Sequence, residues 1–297
     1  MMKTLLKNVT LLPEYGFGNR TVNVLIKNKK IHEIMETLPA DLRVDETVDC
    51  GGNLLIPAFY NAHCHAAMTL FRGYGEDLPL QRWLEERIFP AEEKLTFRSV
   101  YHATTLAIAE MLKAGIASFS DMYMFEDAVA EAVLATGIKA NLSRSLVSFD
   151  PNVDMSLENR MIEAVRLAEW YHGADDGRIL VDFSLHAEYT NVPKACEYVA
   201  EVAKRFKTGM QIHLSETEKE HRECIGRWNK TPTEFFRDTG VLDVPTTAAH
   251  GVWLEDGDIA ILAEKKATVA HNPVSNLNLT PLRQYPYCRT KLAILQK

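Results

Sequence analysis

A chain of 297 residues that is 46% hydrophobic, with 15 glycines and 12 prolines spread thinly, can bury a large core, so one large domain, alone or with a small companion, is expected. A net charge of -7 without a dense Lys/Arg cluster excludes nucleic-acid and anionic-membrane surfaces, and no apolar run reaches the length needed to span a bilayer. Met1 to Tyr15 has no signal-peptide core and the five cysteines form no Cys-x-x-Cys pair, so a cytoplasmic protein with reduced thiols is expected.

Residues 1–53 differ in pattern from the remainder of the chain. TVNVLIKNKKIHEI alternates apolar and polar residues about an Asn28-Lys29 turn, and VDCGGNLLIP comes next through a Gly-Gly break. This pattern predicts the amino-terminal part of a small β layer. From Leu54 the rhythm becomes strand, loop, helix. LLIPAFYNAHCH reads as a buried first strand ending in His63 and His65. IASFSDM, IKANLSRSL, ILVDFSLHA, GMQIHLSE, TTAAHGVWL and ATVAHNP read as strands two to seven, with amphipathic helices between them. Strands and helices alternating in this way predict parallel βαβ units, an α/β fold closing into a distorted (β/α)8 barrel over residues 54–279. A doubly wound open sheet is the alternative, and no Gly-x-Gly-x-x-Gly after the first strand supports it.

The polar residues gather where a barrel carries its chemistry. On an extended strand His63 and His65 point to one side, so both imidazoles reach one point beyond its end. Two nitrogens aimed at one spot suit a divalent metal, zinc first, with iron, nickel and manganese as alternatives. His186 ends strand four, His213 with Glu216 ends strand five, His250 ends strand six and His271 ends strand seven, all at carboxyl ends. Strand five lies across a barrel from strand one, which makes His213 the natural third ligand. Glu216 suits acid–base catalysis on a water whose pKa the metal lowers, and His250 suits holding or polarising that water. His271 reads as loop support, since Asn272, Pro273 and Asn276 carry turn chemistry.

The ordered segments PAFYNAHCHAAMTLFRG, LPLQRWLEERIFPAEEKLT, HAEYT, HLSETEKE, AAHGVWL and AHNPVSNLNL resemble the amidohydrolase superfamily. The resemblance is to its branch of chlorohydrolases and aminohydrolases, which includes the methylthioadenosine and S-adenosylhomocysteine deaminases. It implies a one-metal barrel flanked by a β-sandwich, and hydrolytic deamination of an adenosine-like nucleoside, 5'-methylthioadenosine or S-adenosylhomocysteine, with release of ammonia. Under the resemblance His63, His65 and His213 match the metal ligands, Glu216 the proton shuttle and His250 the histidine that orients the attacking water. Glu92 matches a carboxylate that holds ribose hydroxyls, and Arg144 and His186 match pocket residues. Two-metal members carry a lysine at the end of strand four, and ILVDFSLHA has none. The implied partner is a small-molecule substrate, with neither nucleic acid nor membrane; a homo-oligomer stays open.

The chain also departs from the family, which has an aspartate at the end of strand eight. No Asp or Glu occurs after Glu264, and the tail over residues 280–297 is basic, without strand–helix rhythm. The chain therefore reads as a truncated, frameshifted or internally deleted product, a barrel lacking strand eight with impaired activity. Two alternatives stand beside this reading: a hydrolase of another ring, such as guanine, cytosine or a triazine, and a catalytically dead fragment.

Overall fold

The computed structural model describes residues 2–18, 20–75, 78 and 80–279, so the basic tail lies outside the described residues. The chain divides into two compact units, the first ending at Ala58 and the second beginning at Phe59.

The first unit is a mixed sheet around β1 (Lys3–Leu11). β1 pairs antiparallel with β2 (Thr21–Lys27), which pairs in turn with β3 (Lys30–Met35). On its other edge β1 runs parallel to β4 (Glu46–Asp49) and β5 (Leu54–Leu55). The expected hairpin turn is present, with Asn28 at φ 52 and Lys29 at φ 64. Two consecutive left-handed residues give the tight turn whose twist matches that of paired strands. Leu5, Leu25 and Met35 form one small apolar cluster of this unit; Val9, Leu11 and Val22 form another.

The second unit is a parallel barrel. It comprises β6 (Phe59–Cys64), β7 (Ile116–Tyr123), β8 (Lys139–Leu146), β9 (Ile179–Val181), β10 (Phe183–Leu185), β11 (Met210–Leu214), β12 (Thr246–His250) and β13 (Thr268–Ala270). β9 and β10 are one strand interrupted at Asp182, so among the described residues the order β13-β12-β11-β10-β8-β7-β6 gives seven strand positions. Alternation along the strands sorts their side chains. Phe119, Leu142, Phe183, Leu185, Met210, Ile212 and Leu214 are fully buried in one core with Val129, Val199, Phe236 and Leu262 of the surrounding helices. The opposite parity sends Ser120, Ser143, Ser184, Gln211, His63 and His213 to the barrel interior. Side chains of that parity near the carboxyl ends of several strands therefore meet above the barrel floor.

The run from Leu54 to His65 departs from expectation. Pro57 has no N–H to give a ladder, and the run breaks there into β5 of the first sheet and β6 of the barrel. Among the described residues β6 pairs with β7 alone, so it is an edge strand and Tyr60 is 72% exposed rather than buried. Among the described residues no helix is long and apolar enough to cross a membrane.

Candidate active site

His63 lies in β6 and His65 directly after it; the alternation that buries neither fully aims both rings inward. His213 comes from β11 and is buried. One nitrogen from each of these three residues lies within 4.8 Å of the others. The rings of His63 and His213 are 4.8 Å apart, and those of His63 and His65 are 5.0 Å apart.

Main-chain carbonyls orient two of the three rings. His65 Nδ1 lies 2.6 Å from the Met122 carbonyl, and His213 Nδ1 lies 2.6 Å from the His186 carbonyl. A carbonyl only accepts, so each Nδ1 carries the hydrogen and each Nε2 keeps its lone pair for the cluster. Burial favours the neutral rings these contacts need. It pushes His63 down to about 2, and lowers His65 and His213 as well. Three neutral imidazoles with bare nitrogens converging on one point fit a divalent metal, and these are the residues that would hold it.

Beside the cluster stand the two residues expected to handle protons. His250 ends β12, its ring 5.6 Å from that of His63 and 5.5 Å from that of His213. Glu216 presents Oε1 3.4 Å from His250 Nε2. Burial pushes Glu216 up to about 7, with the nearby Glu220 carboxylate adding to the rise, and pushes His250 down to about 4. Both groups are therefore uncharged over a range in which exposed counterparts would be ionised.

Glu216 owes its position to a residue that sequence reading overlooked. Ser215 sits at φ 46, a left-handed conformation unusual for serine. Glu220 holds the bend by accepting hydrogen bonds from the Ser215 and Glu216 amides at 2.9 and 2.8 Å. Thr217 Oγ1 accepts in return from the Glu220 amide, which closes a capping box at the start of the helix Glu218–Trp228. The Thr-x-x-Glu spacing of that box was legible in the sequence. On the far side, the Val252 and Trp253 amides donate to the Ser215 carbonyl.

The residues assigned to the pocket by resemblance divide. Glu92 reaches the site through Tyr123, whose hydroxyl donates to Glu92 Oε1 at 2.6 Å while its ring lies 5.8 Å from His65. Burial raises the Glu92 carboxyl above its ordinary value. His186 sits 5.0 Å from the His213 ring and edge-on to Tyr189 at 6.0 Å. Arg144 is placed elsewhere. It shares the helix-facing parity of Ala140 and Leu142, and its Nε donates to Glu163 at 2.6 Å in the helix Asn159–Tyr171. There it lines a cavity of about 240 Å³ with Met124, Phe125 and Trp170. His271, expected to support its loop, accepts at Nδ1 from Asn276 Nδ2 at 2.9 Å.

The profile of the amidohydrolase family matches residues 54–284, most of the chain. The chain belongs to the amidohydrolase family. This amidohydrolase is 39% identical over 282 residues to a 5-methylthioadenosine/S-adenosylhomocysteine deaminase of Moorella thermoacetica, covering 94% of the chain and 65% of that relative. It is 38% identical over 275 residues to a 5'-deoxyadenosine deaminase of Methanobrevibacter smithii, covering 93% of the chain and 62% of that relative. The chain thus spans slightly less than two thirds of the length of these relatives. Among solved structures it is similar to a zinc-bound adenosine deaminase of Xanthomonas campestris, with a TM-score of 0.83 and 27% identity over 97% of this chain and 67% of that one.

Proposed function

We propose that this amidohydrolase is a metal-dependent aminohydrolase that deaminates an adenosine-like nucleoside, 5'-methylthioadenosine or S-adenosylhomocysteine, and that its metal is zinc, with iron as the alternative. The observation that carries the reading is the convergence of His63, His65 and His213 beside the Glu216–His250 pair. The names of the relatives support the substrate class, and the zinc in the Xanthomonas structure supports the metal.

When bound, the metal supplies Lewis-acid activation of water. The chain's own residues do the rest. Glu216, with a carboxyl poised at about 7, takes a proton from the attacking water as its oxygen adds to the ring carbon that bears the amino group. It then returns that proton to the departing amino nitrogen, the carbon–nitrogen bond breaks and ammonia leaves; the hydroxyl left on the carbon passes its remaining hydrogen to the neighbouring ring nitrogen, and the ring keeps a carbonyl. His250 Nε2 faces Glu216 and its ring lies beside that of His63, which places it to hold the water in line. Glu92, steadied by Tyr123, accepts hydrogen bonds from the ribose hydroxyls. His186 flanks the ring site beside His213. We assign Arg144 no contact with substrate, because its guanidinium is committed to Glu163.

The test is elemental analysis of the purified chain followed by ammonia release from 5'-methylthioadenosine, S-adenosylhomocysteine and adenosine. About one metal per chain with turnover of the thioether nucleosides supports the reading. A metal-loaded chain that releases chloride from a chlorotriazine, or ammonia only from guanine or cytosine, overturns it in favour of another ring hydrolase. A chain without metal or turnover overturns it in favour of a catalytically dead piece.

A further inference from the structure

Asn276 lies on the helix Pro273–Leu279, is 2% exposed, and spends its whole side chain on two histidines. Its Oδ1 is 3.0 Å from His250 Nδ1. Its Nδ2 is 3.2 Å from the His250 carbonyl and 2.9 Å from His271 Nδ1. One amide thus grips the ring and the main chain of the same residue. That residue has its backbone at φ 75, where a histidine gains nothing by itself.

The His250 carbonyl decides which way the amide points. A carbonyl oxygen can face only a donor, so the nitrogen of Asn276 must lie on that side and the oxygen on the other. Oδ1 is then turned to the His250 ring. An acceptor 3.0 Å from a bare ring nitrogen would set lone pair against lone pair, so His250 Nδ1 carries its hydrogen. Asn272 Nδ2 lies 3.4 Å from the same nitrogen and would require the opposite tautomer. That contact is the longer one, and the Asn272 amide can turn, whereas the Asn276 amide is fixed at three points.

We propose that Asn276 is a positioning residue that locks His250 in the Nδ1-protonated tautomer, so that a bare Nε2 faces Glu216. The same amide locks His271 in the opposite tautomer, since Nδ2 donates to His271 Nδ1 and leaves the ring hydrogen on Nε2. The proposal rests on the reading of His250 as an active-site residue. Its mechanistic content is directional. With Nε2 bare, His250 accepts a hydrogen bond from Glu216 once the carboxyl has taken up the proton of the attacking water, and it cannot donate that nitrogen's hydrogen to the carboxylate beforehand. Glu216 therefore has a partner only in its loaded state, which steadies the proton between uptake and delivery.

The experiment is a long-range proton–nitrogen NMR spectrum of the full chain with 15N-labelled histidine at neutral pH. The two signals are assigned by their loss in His250→Asn and His271→Asn. Expected is an Nδ1-protonated His250 beside an Nε2-protonated His271. Asn276→Ala shifts His250 toward the Nε2-protonated form and lowers kcat for deamination by about 10–100-fold. Asn276→Asp retains the oxygen that faces the His250 ring and loses the NH2 that served both the His250 carbonyl and His271 Nδ1, so it keeps the hydrogen on His250 Nδ1 while removing the donor that fixes His271, and it serves if the alanine variant fails to fold. A wild-type His250 protonated on Nε2, an unchanged His250 in Asn276→Ala, or a lost His250 tautomer in Asn276→Asp overturns the proposal. A chain that deaminates no nucleoside refutes the proposed function, and the spectra still decide this inference.

Discussion

Glu216 Oε1 and His250 Nε2 stand 3.4 Å apart, and the same burial raises the carboxyl to about 7 and lowers the ring to about 4. An exposed glutamate–histidine pair would form an ordinary ion pair near neutrality; this one is arranged to exchange a single proton with something between or beside it. Glu216→Gln, similar in size but unable to shuttle, should lower kcat by roughly 100- to 10,000-fold while leaving metal content unchanged. Steady-state kinetics with elemental analysis of the variant check both halves of the statement.

The pH profile should carry the same signature. Glu216 must be ionised to accept a proton, and burial has raised it to about 7. The rate should therefore fall below about pH 7, close to tenfold per unit, rather than below the ordinary carboxylate range. Exchanging Glu220 for Gln removes the second contribution to that rise, so the acid limb should move to lower pH. An acid limb in wild type near pH 4.5 would show that the buried carboxyl is not the group that titrates.

Glu220 also makes a stability prediction with a definite sign. Burial raises it to about 7 from an ordinary value of 4.5, so the folded protein holds this proton more tightly than the unfolded chain does. Its contribution is fully present below about pH 4.5 and is lost as pH rises through about 7. The buried histidines run the other way. The difference in urea stability between wild type and Glu220→Gln cancels the histidines and reads the titration of Glu220 together with its effect on Glu216, and wild type should lose ground to the variant as pH rises across that window. Glu220→Ala, which leaves the Ser215 and Glu216 amides without acceptors, should cost about 1–3 kcal/mol beyond Glu220→Gln.

Metal retention should distinguish side chain from main chain. His213→Ala removes a nitrogen of the cluster and should bring metal per chain to near zero. His186→Ala should leave it near the wild-type value, because the carbonyl of residue 186, not its ring, orients His213. Elemental analysis after dialysis reads both.

Glu92 and Tyr123 should behave as one unit on substrate binding. Glu92→Ala should raise KM for ribosides and spare a free base. Tyr123→Phe, which removes the 2.6 Å hydrogen bond, should do the same to a smaller degree. Equal losses on ribosides and free bases would assign the pair to something other than the sugar. Arg144→Ala, by contrast, should leave KM alone and affect stability, since it breaks the contact with Glu163.

Strand alternation made much of the site legible. Their two-residue spacing placed His63 and His65 on one side, and the histidines closing later strands had no comparably simple reason to recur there. The same count, applied to KANLSRSL, puts Arg144 with Ala140 and Leu142 on the helix side, a signal that resemblance overrode. Other features were beyond such counting. Pro57 ends one strand and allows another, and only the pairing of Leu54 and Leu55 with Thr10 and Leu11 shows where the boundary falls. Tyr123 and Asn276 look like a strand tyrosine and a turn asparagine. Their partners, Glu92 and His250, are 31 and 26 residues away in sequence, and no local pattern links them.

The hydrogens that aim His65 and His213 come to rest on the carbonyls of residues 122 and 186, and carbonyls are the same whatever side chain is attached. The aim of two nitrogens is thus written in strand pairing rather than in residue identity. Saturation mutagenesis at Met122 and His186 should find wide tolerance for metal retention. A proline at residue 123 or 187, by disturbing the path of the strand end, should abolish it without touching a ligand. Drift in sequence at those two positions therefore leaves the coordination geometry intact for as long as the barrel keeps its register.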